Sequence, residues 1–326
     1  MTNAGGVVVV GSFNVDHVWR CPQLPAAGAT LAGEYTCGPG GKGFNQAMAA
    51  VRAGASTTFV CALGSDVGAG LVRSLAQAND IKLRAHASEA PTGTAGIFVD
   101  AQGRNSIVIG AGANAALSTG FVNAQADVFA TASVVLAQLE SPLSAIEAGL
   151  NAARAAGAVA MLNPAPANAT VPSALLALCD VISPNETEFA ALLATHCGEQ
   201  VDGNAIAGCD DDRLHSLARR LLPGGSVIIT LGACGLFVSH PAHALRGDDG
   251  ASYRIAAEAA NVVDTTGAGD ACNGAFAASL ALRPQRPFRD HAIFANHYAA
   301  RATEQPGAAL AMPHCHPSPP TPAASS

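Results

Sequence analysis

The stretch VVDTTGAGDACNGAFAASLAL, residues 262–282, sets one carboxylate, Asp270, directly after Gly267, Ala268 and Gly269 and ahead of a helical pattern. An acidic residue at a helix start is by itself a cap that accepts from the first free N–H groups. A cap has no need of the small residues before it. Their backbone N–H groups can converge on negative charge, and the helix dipole adds to that attraction. A phosphoryl group in transfer carries spreading negative charge, and fixed donors aimed at it lower the barrier. A carboxylate beside such a nest can accept the proton of an attacking hydroxyl. The chemistry that fits is phosphoryl transfer to an alcohol, with Asp270 as the base.

Three other stretches carry polar groups at suggestive spacing. In GPGGKGFNQAMAA, residues 38–50, glycines allow close backbone approach to a ligand ahead of a helix start, and Gly41, Lys42 and Asn45 exceed what a plain turn requires. This is not the phosphate loop G-x-x-x-x-G-K-[ST]: Gly43 follows Lys42, and position 36 is Thr36. In SPNETEF, residues 183–189, Asn185 and Glu188 offer oxygen ligands of the kind magnesium takes beside a nucleotide. The same residues also read as an ordinary helix start with an acidic first turn. In GSFNVD, Asn14 and Asp16 share a face of an extended segment and suit adjacent sugar hydroxyls, although an Asn–Asp turn is the plainer reading. Glu140 in QLESPL can join them. VVVVGSFNVD contains no G-x-G-x-x-G, so a dinucleotide-binding fingerprint is missing.

Positioning these groups falls to short β-branched runs: VVVVGS (7–12), TTFVCALG (57–64), SVVLAQLE (133–140), VAMLNP (159–164), VISPNE (181–186) and SVIITLG (226–232). Segments of helical period alternate with them, such as FNQAMAAVRAG (44–54) and LSAIEAGLNAARAAG (143–157). Apolar strands alternating with helices predict an α/β fold, a Rossmann-like, mostly parallel sheet flanked by helices. In such sheets ligands gather beyond the carboxyl ends of the strands, where Asn14, Asp16, Glu140, Asn163, Asn185 and Gly232 stand. Residues 17–37 and 91–110 break the rhythm, the second with IFVD and NSIVI flanking AQGR in the manner of a hairpin. Both are expected to form a small separate sheet able to cover a site, with extra edge strands of the main sheet as the alternative. The stretch 194–212 reads as a long surface loop. The tail 314–326 is Pro- and Ser-rich and reads as disordered, and its His314 and His316 lack a second cluster for a metal.

Bulk composition narrows the classes. The 326 residues are 49% apolar with a net charge of −7 and no basic run, which argues against nucleic acid or an anionic membrane as partner. The nine cysteines lie apart with no C-x-x-C, as in reduced cytoplasmic thiols. The amino terminus lacks a signal-peptide pattern, and no apolar run approaches the ~20 residues that span a bilayer. A cytoplasmic protein is expected.

GPGGKGFNQA and DTTGAGDACNGAF resemble the amino- and carboxyl-terminal signatures of the ribokinase-like (PfkB) carbohydrate kinases. The resemblance runs from about residue 7 to 313, so one kinase domain over 1–313 is expected, with lid segments at about 17–37 and 91–110. It includes GSFNVD, GAGANAALS (110–118), QLESPL (138–143), NPAPA (163–167), PNETE (184–188) and ITLGACG (229–235), and is closest to the ribose-phosphorylating branch. The resemblance implies ATP-dependent phosphorylation of the primary 5-hydroxyl of D-ribose. Asp270 is then the base, and Gly267, Ala268 and Gly269 the anion hole. Asn14, Asp16, Gly41, Lys42, Asn45 and Glu140 hold the sugar; Thr230, Gly232 and Gly235 lie along ATP, with Asn296 near the adenine. Asn185 and Glu188 match a magnesium-related motif. Asp264, Thr266, Ala302, Gln305 and Gly307 stand at the positions of a potassium-type ion, and Ala311 replaces a serine common there. The family also implies a homodimer joined through the lids. A deoxyribose or nucleoside kinase on the same scaffold, and a non-catalytic sugar or nucleotide sensor, are the competing readings.

Overall fold

The computed structural model describes residues 5–315, so His316 and the rest of the tail lie outside the described residues. In chain order the strands are β1 (Gly6–Val10), β2 (Asn14–Arg20), β3 (Glu34–Gly40), β4 (Thr57–Leu63), β5 (Lys82–Ala87), β6 (Gly93–Val99), β7 (Asn105–Gly110), β8 (Ala132–Ala137), β9 (Val159–Leu162), β10 (Val181–Ile182), β11 (Ser226–Thr230), β12 (Leu236–Ser239) and β13 (Ser252–Ile255). Nine of them form one sheet in the order β13-β12-β11-β10-β9-β8-β1-β4-β5. Its seven-strand body is parallel, and β12 and β13 close one edge antiparallel.

Strand periodicity explains the layers. Val7 and Val9 of β1 join one buried cluster with Phe44, Met48 and Phe276, from helices Lys42–Arg52 and Ala268–Leu282. Val8 and Val10 point the other way, into a second cluster with Ile146, Leu150, Phe189 and Leu214, from helices Leu143–Ala156, Glu186–Cys197 and Asp211–Leu221. A strand apolar at every position is therefore one whose two faces are both covered by helices.

The remaining strands form a separate four-stranded sheet, order β3-β2-β6-β7. The expected hairpin is β6–β7, paired from Thr94↔Gly110 to Val99↔Asn105. Its turn is held by the Asp100 carboxylate, which accepts from the N–H groups of Gln102 and Arg104. The small sheet begins earlier than the sequence reading placed it, at Asn14, and β3 runs on to Gly40. Asn14 and Asp16 are thus rungs of this sheet rather than residues of a turn.

Three strands were not anticipated. KLRAHA in β5 carries Lys82 and Arg84 because it is an edge strand, and β12 and β13 belong to the antiparallel edge. Conversely VISPNE yields only Val181–Ile182, since Pro184 has no N–H to continue a ladder. The stretch 194–212 corrects to mostly helical structure. It finishes the helix at Cys197, forms a turn Gly203–Ile206 capped by Asp202, and starts the next helix at Asp211. Ile206, fully buried, anchors it. Among the described residues no helix is long and apolar enough to cross a membrane.

Candidate active site

The helix Ala268–Leu282 starts from Gly267, which is its N-cap with φ of 78° and offers no side-chain cap. Gly is needed there for that left-handed backbone and because a Cβ would sit 2.8 Å from that of Ala308. Asp270 is therefore not the cap. Its side chain turns instead toward the helix Lys42–Arg52, where Asn45 Nδ2 donates to Oδ2 and Gln46 Nε2 donates to Oδ1, both at 2.9 Å. The carboxylate is 7% exposed. Burial pushes its pKa up; the Lys42 charge and the two amide donors oppose that rise, and the Glu140 charge adds to it. A carboxylate held this way has both oxygens oriented and its charge partly compensated. At the helix start the Ala268 N–H donates to the Thr265 carbonyl at 3.1 Å. Space beside Gly269 is open, with nothing within 4 Å of where a Cβ would point.

A second group converges on the same place from the first strands. Gly41, with φ of 85°, caps the helix Lys42–Arg52, and a Cβ on it would lie 2.8 Å from the Asn14 nitrogen. That close approach presses the helix start against the β1–β2 junction. Glu140 Oε2 accepts from Ser12 Oγ at 2.5 Å and from the Lys42 N–H at 2.9 Å, tying the end of β8 to both. Asn14 Oδ1 accepts from Asn114 Nδ2 at 2.8 Å, and Asn114 also bonds both backbone groups of Phe13. Burial first, then the charges of Glu140 and Asp270, raise the pKa of Asp16 to about 7. For Lys42 burial works downward, but the carboxylates of Asp270, Glu140 and Glu188 prevail and hold its ammonium charged. Asn45 Oδ1 is buried and has no partner among the described residues, so it is an acceptor waiting for a donor.

On the other side of Asp270, Asn185 caps the helix Glu186–Cys197. Asn185 Oδ1 accepts from the Glu188 N–H at 2.8 Å, and Glu188 Oε2 accepts from the Asn185 N–H at 2.9 Å. Of the two sequence readings of SPNETEF, the structure carries the helix start, since the pair is a capping box; Glu188 Oε1 takes no part in it. Burial raises the Glu188 pKa; the Asn185 N–H and the Lys42 charge pull it back. Asn185 bridges to Thr230 at the end of β11. The turn that follows needs Gly232 (φ 51°) and Gly235 (φ 85°), and a Cβ at Gly235 would fall 2.0 Å from the Ile255 carbonyl oxygen. Asn296 Nδ2 donates to the Ala256 carbonyl at 2.8 Å, fixing the chain just past β13.

Asp264, Thr266, Ala302, Gln305 and Gly307 lie on two paired segments. The N–H groups of Val263 and Asp264 both donate to the Thr303 carbonyl, and the Asp264 carboxylate accepts from the N–H groups of Thr266 and Gly307. Burial alone would raise the Asp264 pKa, but these donors hold it below the usual range. The helix Phe288–Ala302 ends here, where the Thr303 N–H donates to the Ala299 and Ala300 carbonyls and the Glu304 N–H to that of Arg301. Among the described residues no hydrogen bond joins this group, or Asn296, to Asp270 and its partners.

Sequence reasoning passed over Gln46, Asn114, Gln138, Ser183 and Asn273, and gave Asn163 a position but no role. Gln46 Nε2 also donates to Asn163 Oδ1 at 3.1 Å, and Gln46 Oε1 accepts from Gln138 Nε2. Asn163 Nδ2 donates to the Ser183 carbonyl at 2.8 Å, Ser183 Oγ to Asn273 Oδ1, and Asn273 Nδ2 to the Gly269 carbonyl at 2.9 Å. The available signal was a polar residue directly after each of β8, β9 and β10: Gln138, Asn163 and Ser183.

The geometry is that of a phosphoryl-transfer site, and three comparisons agree with it. The chain is similar to the ribokinase of Haemophilus influenzae, 36% identical over 94% of this chain and 95% of that protein. It is also similar to the deoxyribokinase of Salmonella typhi, 32% identical over 83% of this chain and 84% of that protein. Its structure superposes with TM-score 0.81 on the Arabidopsis thaliana ribokinase complexed with ribose and ATP, at 28% identity over 95% of this chain and 96% of that one. Residues 5–315 match the model of the pfkB family carbohydrate kinases, and the chain belongs to that family.

Proposed function

We propose that this protein is an ATP-dependent sugar kinase that phosphorylates the primary 5-hydroxyl of D-ribose to give ribose 5-phosphate. The observation that carries the reading is Asp270, buried with each carboxylate oxygen held by an amide donor, at the start of a helix whose cap is a glycine. In the reaction Asp270 accepts the hydroxyl proton as the oxygen attacks the γ-phosphorus; the bond from that phosphorus to the bridging oxygen breaks, and its electron pair leaves on the β-phosphate of ADP. The anion hole for the charge spreading over the transferred group is read at Gly267, Ala268 and Gly269, with the Ala268 N–H leaving the Thr265 carbonyl to join it. Asn14, Asp16, Gly41, Lys42, Asn45 and Glu140 hold the sugar, with the open Asn45 Oδ1 and the second Glu140 oxygen free to accept from its hydroxyls. Thr230, Gly232, Gly235 and Asn296 line the nucleotide side, with Asn185 beside them.

Magnesium fits the donor set at Glu188, whose Oε1 lies outside the capping box. When bound, the ion neutralises charge developing on the phosphates. Potassium is read at the oxygens of Asp264, Thr266, Ala302, Gln305 and Gly307, on the two segments that the Asp264 carboxylate joins. The small sheet is read as a lid whose exposed Ile107, Val108 and Ile109 make it the contact between two copies in a homodimer. The cytoplasm suits the free thiols at all nine cysteine positions.

D-ribose is favoured over 2-deoxyribose by the higher identity and coverage of the ribokinase relatives. The test is release of ADP from ATP and magnesium with ribose, 2-deoxyribose, fructose, adenosine or inosine offered singly. Ribose-dependent release that falls about 10²–10⁴-fold in Asp270→Asn supports the reading. Faster turnover of 2-deoxyribose or a nucleoside replaces the substrate and keeps the machinery. No turnover of any acceptor leaves a sensor.

A further inference from the structure

We infer that Gln46 is a positioning residue for phosphoryl transfer, locking the Asp270 carboxylate through a row of buried amides that spans the carboxyl edge of the sheet. This rests on the kinase reading above and deepens it. Gln46 is 0% exposed, so it touches neither sugar nor nucleotide. Yet both of its N–H bonds are committed, one to Asp270 Oδ1 at 2.9 Å and one to Asn163 Oδ1 at 3.1 Å. Its carbonyl accepts from Gln138, which fixes the amide against a flip. Flipped, Gln46 would aim an oxygen at the carboxylate and a donor at another donor.

The row is placed by the fold rather than by local sequence. Gln138, Asn163 and Ser183 are the first residues beyond β8, β9 and β10, three neighbouring strands. From Ser183 the row crosses to Asn273 and ends on the Gly269 carbonyl, one residue before Asp270. The same network therefore grips the base by its side chain and the glycine of the anion hole by its backbone. Polar groups this deep, with Gln46, Gln138, Ser183 and Asn273 all at 2% exposure or less, are costly to bury unless bonded. Apolar side chains would fill the same volume at lower cost. What they could not do is hold a carboxylate in one rotation.

Charged groups facing Asp270 come from every side: Lys42 from its own helix, Glu140 after β8, Asp16 on β2 and Glu188 near β11. Lys42 favours the carboxylate and the three acids oppose it. Removing the Gln46 donor leaves these charges in place and takes away one bond to the ionised form.

The test compares the parent with Gln46→Met, which keeps length and loses the donor, and Gln138→Met, which leaves every group touching Asp270 intact. Turnover, sugar KM, the pH profile and crystal structures are the readouts. Gln46→Met is expected to lower kcat about 10- to 100-fold, the scale of misplacing a reacting group by an ångström, with sugar KM within twofold of the parent. The acid limb of the profile should move to higher pH, and the carboxylate should be rotated in the crystal. Gln138→Met should show the same changes in smaller degree, and decides the matter if Gln46→Met does not fold. An unchanged kcat with the carboxylate in place overturns the inference. So does a loss of kcat and sugar affinity together with an unmoved acid limb, the mark of a packing role alone. If the parent phosphorylates no acceptor, the kinase reading fails, and the crystallographic comparison still decides whether Gln46 holds Asp270.

Discussion

Asn185 and Glu188 clasp each other across one helical turn, each side chain accepting from the other's backbone N–H at 2.8–2.9 Å. A motif read as metal-related is thus also a helix-start device, and the two roles can be separated by substitution. Asn185→Ala should destabilise the protein by about 1 kcal/mol through loss of the cap, measured by urea unfolding. Glu188→Gln should leave stability close to the parent, because glutamine serves in a capping box as well as glutamate does. If Glu188 contributes to magnesium, the same variant should need several-fold more magnesium for half-maximal turnover. An unchanged magnesium requirement would assign Glu188 to capping alone.

Asp16, proposed above to hold the sugar, should make sugar binding sensitive to pH. Its folded pKa, about 7, lies above the unfolded 3.8 because burial and the Glu140 and Asp270 charges oppose ionisation. Between those values the native state binds the proton and the unfolded state has released it. Stability of the sugar-free protein should therefore fall as pH rises from about 4 to about 7 and level off above. The carboxylate form accepts twice from sugar hydroxyls, so sugar KM should drop as pH rises through 7. Asp16→Asn should flatten both dependences and raise KM across the range. Thermal melts and initial rates over pH 5–9 give the check, and an equally sloped stability curve in the variant would remove Asp16 as its source.

Gly41 is where backbone geometry meets the residues proposed to hold the sugar. A methyl group there would stand 2.8 Å from the Asn14 nitrogen and 2.9 Å from the Phe13 Cα, on a backbone with φ of 85°. Gly41→Ala should cost more than about 1 kcal/mol, since alanine resists positive φ even where space is free. The backbone must also shift to relieve the contact, carrying Asn14 with it. Sugar KM should rise while ATP KM stays near the parent value. A variant with parental stability would show that the β1–β2 junction yields more easily than its packing suggests.

How much of this was legible depended on whether a residue's role is local. Asp270, Lys42 and Asn45 sit in motifs whose glycines announce close backbone approach, and β1 and β4 announce themselves by unbroken apolar runs. Gln46 stands in the same motif as Asn45 and was passed over, because its partners Gln138 and Asn163 lie 92 and 117 residues away. Asn114, 100 residues from Asn14, was hidden for the same reason. Lone amides after strands have no periodicity to betray them, and only the strand order brings them into a row. The strand β5 escaped because an edge strand tolerates the charges of KLRAHA, and β12 and β13 because an antiparallel edge needs no intervening helix.

The lid offers the last expectation, because its register puts Asp16 and an apolar row on one face. Asp16 pairs with Ala95 and Val18 with Ile97 along β2 and β6, while Ala95 faces Ile109 and Ile97 faces Ile107 across β6 and β7. Alternation along each strand then sets Asp16, Val18, Ile97, Ile107 and Ile109 on a common side. Ile107 and Ile109 are about half exposed in the single chain, at 50% and 48%. In the proposed homodimer a second copy covering that row would lie over the face that carries Asp16. Ile107→Ser with Ile109→Ser should therefore shift sedimentation toward a single chain and raise sugar KM several-fold, with ATP KM little changed. If the doubly substituted protein sediments like the parent, this row is not a contact between copies. A monomeric variant with parental sugar KM would show that the pairing is independent of the Asp16 face.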